Sequence, residues 1–293
     1  EKCLVVSEND ECLITDILPQ GYSYSKDYDD KTIGKNSEVL ITALLNNAHN
    51  SFSEINKLLE IHNTAIDDSD MQNSFLNLWS ILEILGVKKR DNSKMIEIED
   101  AIIPILLNDY IKNIFEELHD YVKANINEDK YKEIMSEVDL DIDEYEKLAC
   151  IVLLKKFEEL RKRLISELAK YPLLRSRISQ LCVNFNEKNG YLKEIERYEK
   201  RVRWHLRRMY RTRNAIIHSG ENTENLKALG EHLHSYIDEI LYEIIIQLAT
   251  KHNYCTIDNV LINARFKLDE IKKRFKDKDE IMYEDILDLY EKY

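Results

Sequence analysis

One stretch in the second half of the chain decides the fold: YLKEIERYEKRVRWHLRRMYRTRNAIIH, residues 191–218. Its apolar residues recur at the three- and four-residue spacing of an amphipathic helix, and at 100° per residue they share one face. The residues of this apolar stripe are Val202, Leu206, Met209, Ile216 and Ile217. A long helix with one apolar face needs other helices to cover it, so this segment predicts a helical bundle.

The rest of the chain agrees with an all-α architecture. Only 6 Gly and 3 Pro occur among 293 residues, too few for the turns of a sandwich or barrel of short strands. From Ser37 onward nearly every segment has helical spacing, and we expect helices at 37–63, 70–86, 94–124, 128–136, 143–170, 173–186, 191–218, 223–251, 258–276 and 283–292. The expected fold is a helical bundle core with additional helices, and a short β-hairpin is possible in residues 1–18.

Three regions follow from this pattern. Residues 1–36 are expected to be a linker or the tail of an upstream domain, 37–254 a helical domain, and 255–293 a C-terminal helical extension. The start of the chain does not have the pattern of a signal peptide, and it lacks an initiator Met, which leaves room for an upstream domain that is absent from this chain.

Composition indicates the cellular compartment and excludes several classes of protein. The five cysteines have no CxxC spacing, which favours reduced, buried thiols in a cytoplasmic protein. No apolar run approaches the ~20 residues of a membrane span, so no membrane association is expected. The sequence contains neither a P-loop nor a GxGxxG motif, and no histidine spacing is typical of zinc. We therefore expect no cofactor and no metal.

Charge is distributed unevenly along the chain. The net charge of −13 argues against general coating of nucleic acid. Residues 193–213, however, contain nine Lys or Arg and three Glu, a local charge of +6. On the helical wheel, Arg207, Arg211 and Asn214 lie within about 40° of His218 and form a polar, basic face that Tyr210 borders. Such a face can donate hydrogen bonds to phosphate oxygens.

Two charged residues are out of place on apolar faces. Arg213 falls within the apolar stripe of 191–218, and Glu83 falls within the apolar arc of FLNLWSILEIL, residues 75–85. A charge at such a position is costly unless it is paired, so we expect these two to meet. The alternative is that each side chain reaches the rim and is solvated.

His218 lies in the last turn of the same helix, just before Ser219 and Gly220. A histidine there can titrate near neutrality, as general acid–base chemistry on a phosphodiester requires. The alternative is a histidine that only caps the last carbonyl groups of the helix.

The stretch RRMYRTRNAIIHSGE, Arg207–Glu221, contains an R-N-x-x-x-H pattern that resembles the motif of the HEPN superfamily of helical nucleotide-binding and ribonuclease domains. Two further stretches, FLNLWSILEIL at 75–85 and YPLLRSRISQL at 171–181, are similar to the Apea-like branch of that superfamily. The resemblance spans about residues 70–250. It implies a small up-and-down helical core, and many such domains act in host defence or as toxins.

The resemblance also implies an activity. Catalytic HEPN domains are metal-independent endoribonucleases in which the ribose 2′-hydroxyl attacks the adjacent phosphate and leaves a 2′,3′-cyclic phosphate. By this resemblance Arg213 would orient the phosphate, His218 would move the proton, and Asn214 would assist, with Glu83 in support. The implied partners are RNA, with tRNA as one candidate, and a second copy of the chain bound through the 191–218 helix. The substrate-binding candidates are Arg207, Arg208, Tyr210 and Arg211.

A second hypothesis remains open beside the nuclease. The chain could be a non-catalytic module that binds nucleotide or RNA, or dimerises, and regulates the missing N-terminal domain. Four aromatic residues lie among the basic ones: Tyr191, Tyr198, Trp204 and Tyr210. Their rings can stack on unpaired bases, or they can be ordinary residues of the core and its rim.

Overall fold

A computed structural model describes residues 2–6, 12–16, 52–86, 94–220, 225–250, 256–278 and 281–290. The fold in these ranges is all-α, as expected. Its elements are two strands, β1 (Lys2–Val6) and β2 (Cys12–Asp16), and twelve α-helices: α1 (Phe52–Asp67), α2 (Met71–Gly86), α3 (Lys94–Asn108), α4 (Tyr110–Asn125), α5 (Glu128–Ser136), α6 (Glu144–Leu153), α7 (Glu158–Glu167), α8 (Pro172–Asn186), α9 (Gly190–Ser219), α10 (Leu226–Thr250), α11 (Ile257–Arg274) and α12 (Tyr283–Tyr290).

The predicted hairpin is present, because β1 and β2 pair antiparallel with Lys2 opposite Asp16 and Val6 opposite Cys12. The rest of the expected linker, 17–36, lies outside the described residues, and so does 37–51 of the first expected helix.

Two of the expected helices are interrupted. The expected helix at 94–124 stops at Asn108 and resumes at Tyr110, with Asp109 at φ −101° and ψ 0° between them. The expected helix at 143–170 is broken at Leu154, which is extended at φ −84° and ψ 134° and is followed by a short 3₁₀ turn. In both places the apolar spacing continues across the break, so periodicity alone does not reveal it.

Helix ends follow the expected local chemistry. The Asp70 carboxylate accepts a hydrogen bond from the backbone N–H of Gln72 at 2.9 Å, which caps the start of α2. Pro172 occupies the first turn of α8, where its missing N–H costs nothing. Gly220 ends α9 at φ 61°, and its N–H bonds the Ile216 carbonyl at 3.0 Å.

The described helices group into two compact units. Of the described residues, those within 1–102 and 205–260 form the first unit, and those within 103–204 and 261–293 form the second. Most of the expected C-terminal extension therefore groups with the middle of the chain, since α12 packs against α4 and α6.

In the first unit, α2 is the central helix, with α1 and α10 packed against it. Phe75, Ile81 and Leu82 on α2 are buried completely, and the Ser74 hydroxyl donates to the Ala65 carbonyl of α1 at 2.6 Å. Gly86 ends α2 in close contact with α3, where a Cβ atom would lie 2.6 Å from the Cα atom of Ile98.

In the second unit, α6 is the central helix and packs against α4, α5, α7, α8 and α12. All its residues from Leu148 to Leu153 are buried, as a helix covered on all sides requires. Burial raises the pKa of the Cys150 thiol to about 12, so this cysteine is an inert core residue, as expected.

No helix within the described ranges combines the length and the apolar content that crossing a bilayer requires.

Candidate active site

The motif helix α9 is continuous from Gly190 to Ser219, so the R-N-x-x-x-H residues lie on regular helix. Val202, Leu206, Met209 and Ile216 are buried, which confirms most of the expected apolar stripe. The assignment of Ile217 to that stripe is wrong, because its side chain is 48% exposed. Ile217 stood at the edge of the apolar arc, where a small rotation of the helix decides burial.

Arg213 is paired as expected from its place in the apolar stripe. Its Nη2 atom lies 3.4 Å from Oε1 of Glu83 on α2, and the two side chains are 25% and 24% exposed. Its Nη1 atom also donates to Oδ1 of the neighbouring Asn214 at 3.1 Å. The guanidinium group is therefore held from two sides at a partly solvated position rather than in the core.

Glu83 has a second partner that fixes its position. The indole N–H of Trp79, one turn earlier on α2, donates to the same Oε1 atom at 3.1 Å. The ring of Trp79 is buried and lies 5.8 Å from the ring of Tyr210 on α9. Trp79, Glu83, Tyr210, Arg213 and Asn214 thus form one connected group, which we call the arginine anchor.

Arg207 occupies a different environment from the one expected for a substrate-binding residue. Its Nε and Nη2 atoms donate to the two carboxylate oxygens of Glu99 on α3, at 2.7 and 3.1 Å. The Glu99 side chain is only 2% exposed. The contact with the buried carboxylate is bidentate, while the Arg207 side chain itself is 59% exposed, and Glu99 raises the pKa of its guanidinium group.

The other substrate-binding candidates divide by exposure. Tyr210 and Arg208 are half-buried, and Tyr210 belongs to the arginine anchor. Arg211 is exposed and forms no ion pair or hydrogen bond with any described residue. Of the four candidates, Arg211 is the one whose charge is most available to a ligand.

His218 is exposed in the last turn of α9. Within the described part of the chain, no residue forms a hydrogen bond or an ion pair with it. Because α9 is regular, Arg211, Asn214 and His218 lie at positions i, i+3 and i+7 on one face. We call this surface the Arg211–His218 face.

The remaining basic residues of 193–213 are partly neutralised within the second unit. Arg197 contacts Glu194 at 2.6 Å, and Arg203 contacts Glu199 at 2.8 Å. Such pairs reduce the positive potential that a nucleic acid would meet along this part of α9.

Most of the interleaved aromatic rings pack against other rings of the protein. Tyr198 stacks on Tyr110 with centroids 3.7 Å apart, and Tyr191 stacks on Phe275 at 3.8 Å. Trp204 is more exposed, at 53%. The structure therefore favours the core-and-rim interpretation for these tyrosines over base stacking.

The sequence did not indicate Glu99, which lies on the face of α3 that is buried with Ile98 and Ile102. A charged residue among apolar neighbours was the available signal, and it is the same signal that identified Glu83.

Comparison of the chain with protein-family models, with curated proteins and with solved structures gives no match.

Proposed function

We propose that this protein is a metal-independent endoribonuclease of the HEPN type that cuts RNA to 2′,3′-cyclic phosphate and 5′-hydroxyl ends. The observation that carries the proposal is the Arg211–His218 face, on which the exposed imidazole lies about one turn from the Asn214 amide and about two turns from the exposed guanidinium group of Arg211. These groups can move a proton and bind phosphate oxygens. The resemblance to Apea-like HEPN domains extends the proposal to a host-defence or toxin effector, with tRNA as a candidate substrate.

In the proposed reaction His218 accepts the proton of the ribose 2′-hydroxyl as its oxygen attacks the adjacent phosphorus. The bond from phosphorus to the 5′-oxygen breaks, and that oxygen takes a proton from an imidazolium group. Arg213 neutralises the charge that grows on the phosphate oxygens. Glu83 acts as a positioning residue, since its ion pair and the Asn214 contact hold the guanidinium group.

The spacing of the two key residues favours a shared site between two copies of the chain. Arg213 and His218 are five residues apart on a regular helix, which separates them by about 140° around the axis and about 7.5 Å along it. One straight helix cannot direct both side chains at one phosphodiester. Two antiparallel copies of α9 could, with Arg213 from one copy and His218 from the other. The exposed side chain of Ile217, next to His218, suits such a contact.

The test is incubation of mixed tRNA with the full chain in EDTA, followed by gel analysis and mass spectrometry of the product ends. Wild type is expected to cut, and His218→Ala is expected to lose at least about a hundredfold in rate. His232→Ala is the matched control, because His232 is also exposed on a helix of the first unit. Equal cutting by wild type and His218→Ala would reject the role of His218.

The shared site has a separate test. Ile217→Asp places a charge in the proposed contact and should lower the dimer fraction in sedimentation velocity together with the cleavage rate. If Ile217→Asp cuts RNA at the wild-type rate as a monomer, the two-copy arrangement is wrong.

A non-catalytic module that binds nucleotide or RNA, or dimerises, is the second candidate. The carboxylate pairing of Arg207 and Arg213 favours it, because two positive charges of the motif helix are already partly compensated within the protein. Intact tRNA from wild type, with binding retained in a filter assay, would support this candidate over the nuclease.

A further inference from the structure

A second cluster of polar side chains lies in the first unit, outside the arginine anchor and the Arg211–His218 face. It joins His62 on α1 to His234 and Asp238, which stand one turn apart on α10. Nε2 of His62 lies 2.9 Å from Oδ1 of Asp238, and Nδ1 of His234 lies 3.1 Å from Oδ2. The imidazole rings are stacked, with centroids 5.1 Å apart and planes 16° from parallel.

We propose that His62, His234 and Asp238 form a binding site for one divalent transition-metal ion, and that this ion is Zn²⁺. One ligand atom from each residue can be chosen so that all three lie within 4.8 Å of one another. Bonds of 2.0–2.2 Å at tetrahedral angles place ligand atoms about 3.4 Å apart. Since these ligand atoms already lie within 4.8 Å of one another, no pair of them has to approach by more than about 1.4 Å to reach that spacing.

The burial of the three residues suits an ion bound at the edge of the helical core. The two histidine side chains are nearly buried, and Nε2 of His62 has no hydrogen-bond partner among the described residues in spite of its short distance to Asp238. Asp238 is 48% exposed. An ion can therefore enter from the carboxylate side and keep a water molecule as its fourth ligand.

The donor set selects the class of ion. Two imidazole nitrogens and one carboxylate oxygen suit Zn²⁺ and its neighbours, whereas Mg²⁺ and Ca²⁺ prefer sites made of oxygen.

The two sides of the site come from helices far apart in sequence that pack on the same central helix, α2. A bound ion would tie α1 to α10 and stabilise the folded first unit, because the unfolded chain cannot hold the three ligands together. The inferred role is structural and leaves the proposed ribonuclease chemistry independent of metal.

The experiment uses the full chain without a histidine tag, stripped with chelator and titrated with Zn²⁺ by calorimetry and by thermal unfolding. We expect one saturable site and a melting temperature that rises with Zn²⁺ concentration. His62→Ala and Asp238→Asn should each weaken binding at least about tenfold. His232→Ala, on the same helix but outside the cluster, should bind as wild type does. Mg²⁺ should produce no shift.

A spectroscopic measurement on wild type keeps the proposal testable if the variants fold poorly. Co²⁺ at the site should give the visible absorption bands of a four-coordinate ion with nitrogen and oxygen ligands, and Zn²⁺ should remove them. No saturable Zn²⁺ binding, or equal binding by wild type, His62→Ala and Asp238→Asn, would leave the cluster as a hydrogen-bonded His–Asp–His group and overturn the proposal. Because RNA cleavage is measured in EDTA, either proposal can fail without the other.

Discussion

Replacing Glu83 separates the two interactions that converge on its Oε1 atom. The first is the hydrogen bond from the indole N–H of Trp79, whose ring is buried. An indole N–H left buried without an acceptor costs about 1–3 kcal/mol. The second is the ion pair with Arg213, in which both side chains are about a quarter exposed, so solvent screening limits it to about 1 kcal/mol. Glu83→Ala should therefore lower the free energy of unfolding by about 2–3 kcal/mol.

Glu83→Gln keeps an acceptor for the indole and removes only the charge. It should lower the free energy of unfolding by about 1 kcal/mol or less. A double-mutant cycle with Arg213→Ala should give a coupling energy of about 0.5–1 kcal/mol for the ion pair. Most of the effect of Glu83→Ala should thus come from the indole rather than from the arginine.

The assay is urea unfolding followed by tryptophan fluorescence in a Trp204→Phe background. The chain has 2 Trp, so the remaining Trp79 reports on the first unit alone. Glu60→Ala is the control, because Glu60 is exposed on α1, and its change should stay within about 0.5 kcal/mol. Equal losses for Glu83→Ala and Glu83→Gln would refute the role of the indole, and a coupling energy of zero would refute the ion pair.

Three further predictions concern other residues of the first unit. Arg207→Ala should lower the melting temperature, because buried Glu99 loses a bidentate partner, and Arg207→Lys should restore it only in part. An unchanged melting temperature in Arg207→Ala would mean that the Glu99 contact does not stabilise the fold and that Arg207 is available for the proposed substrate surface. Arg211→Ala should leave the melting temperature unchanged but weaken RNA binding, and it should reduce the slope of the logarithm of the RNA association constant against the logarithm of the salt concentration by about 1. An unchanged slope would show that Arg211 does not contact the RNA. In metal-free protein, stability should decrease as the pH falls below about 6.5, because the pKa of His234 is lowered in the fold and the unfolded chain binds the proton first. In urea unfolding, the free energy of unfolding should change by at most about 1.4 kcal/mol per pH unit, and this pH dependence should be weaker in His234→Asn. An equal pH dependence in that variant would assign the effect to other groups.

The features that depend on one helix were predictable from the sequence, and so was one contact between two helices. The stripe of Val202, Leu206 and Met209 follows from helical periodicity, and the Gly220 end of α9 follows from local backbone preference. The contact between Glu83 and Arg213 also followed, because each charge stood alone on an apolar face and needed an opposite charge.

The other contacts between helices were not predictable. Periodicity states that Glu99 faces a core but not which helix supplies its partner, so its contact with Arg207 could not be derived from the sequence. In the same way His62 and Asp238 are 176 positions apart, and their contact arises only because α1 and α10 pack on α2. The break at Leu154 has no proline or glycine to mark it.

The close approach at Gly86 has a consequence for the motif helix. Glu83 lies three residues before Gly86 on α2, and Glu99 follows Ile98 on α3, so both acidic residues are close in sequence to the contact between Gly86 and Ile98. These carboxylates hold Arg213 and Arg207 in turn. A side chain at position 86 would collide with the Ile98 backbone, so a substitution there should disturb the two helices that supply both carboxylate partners of α9.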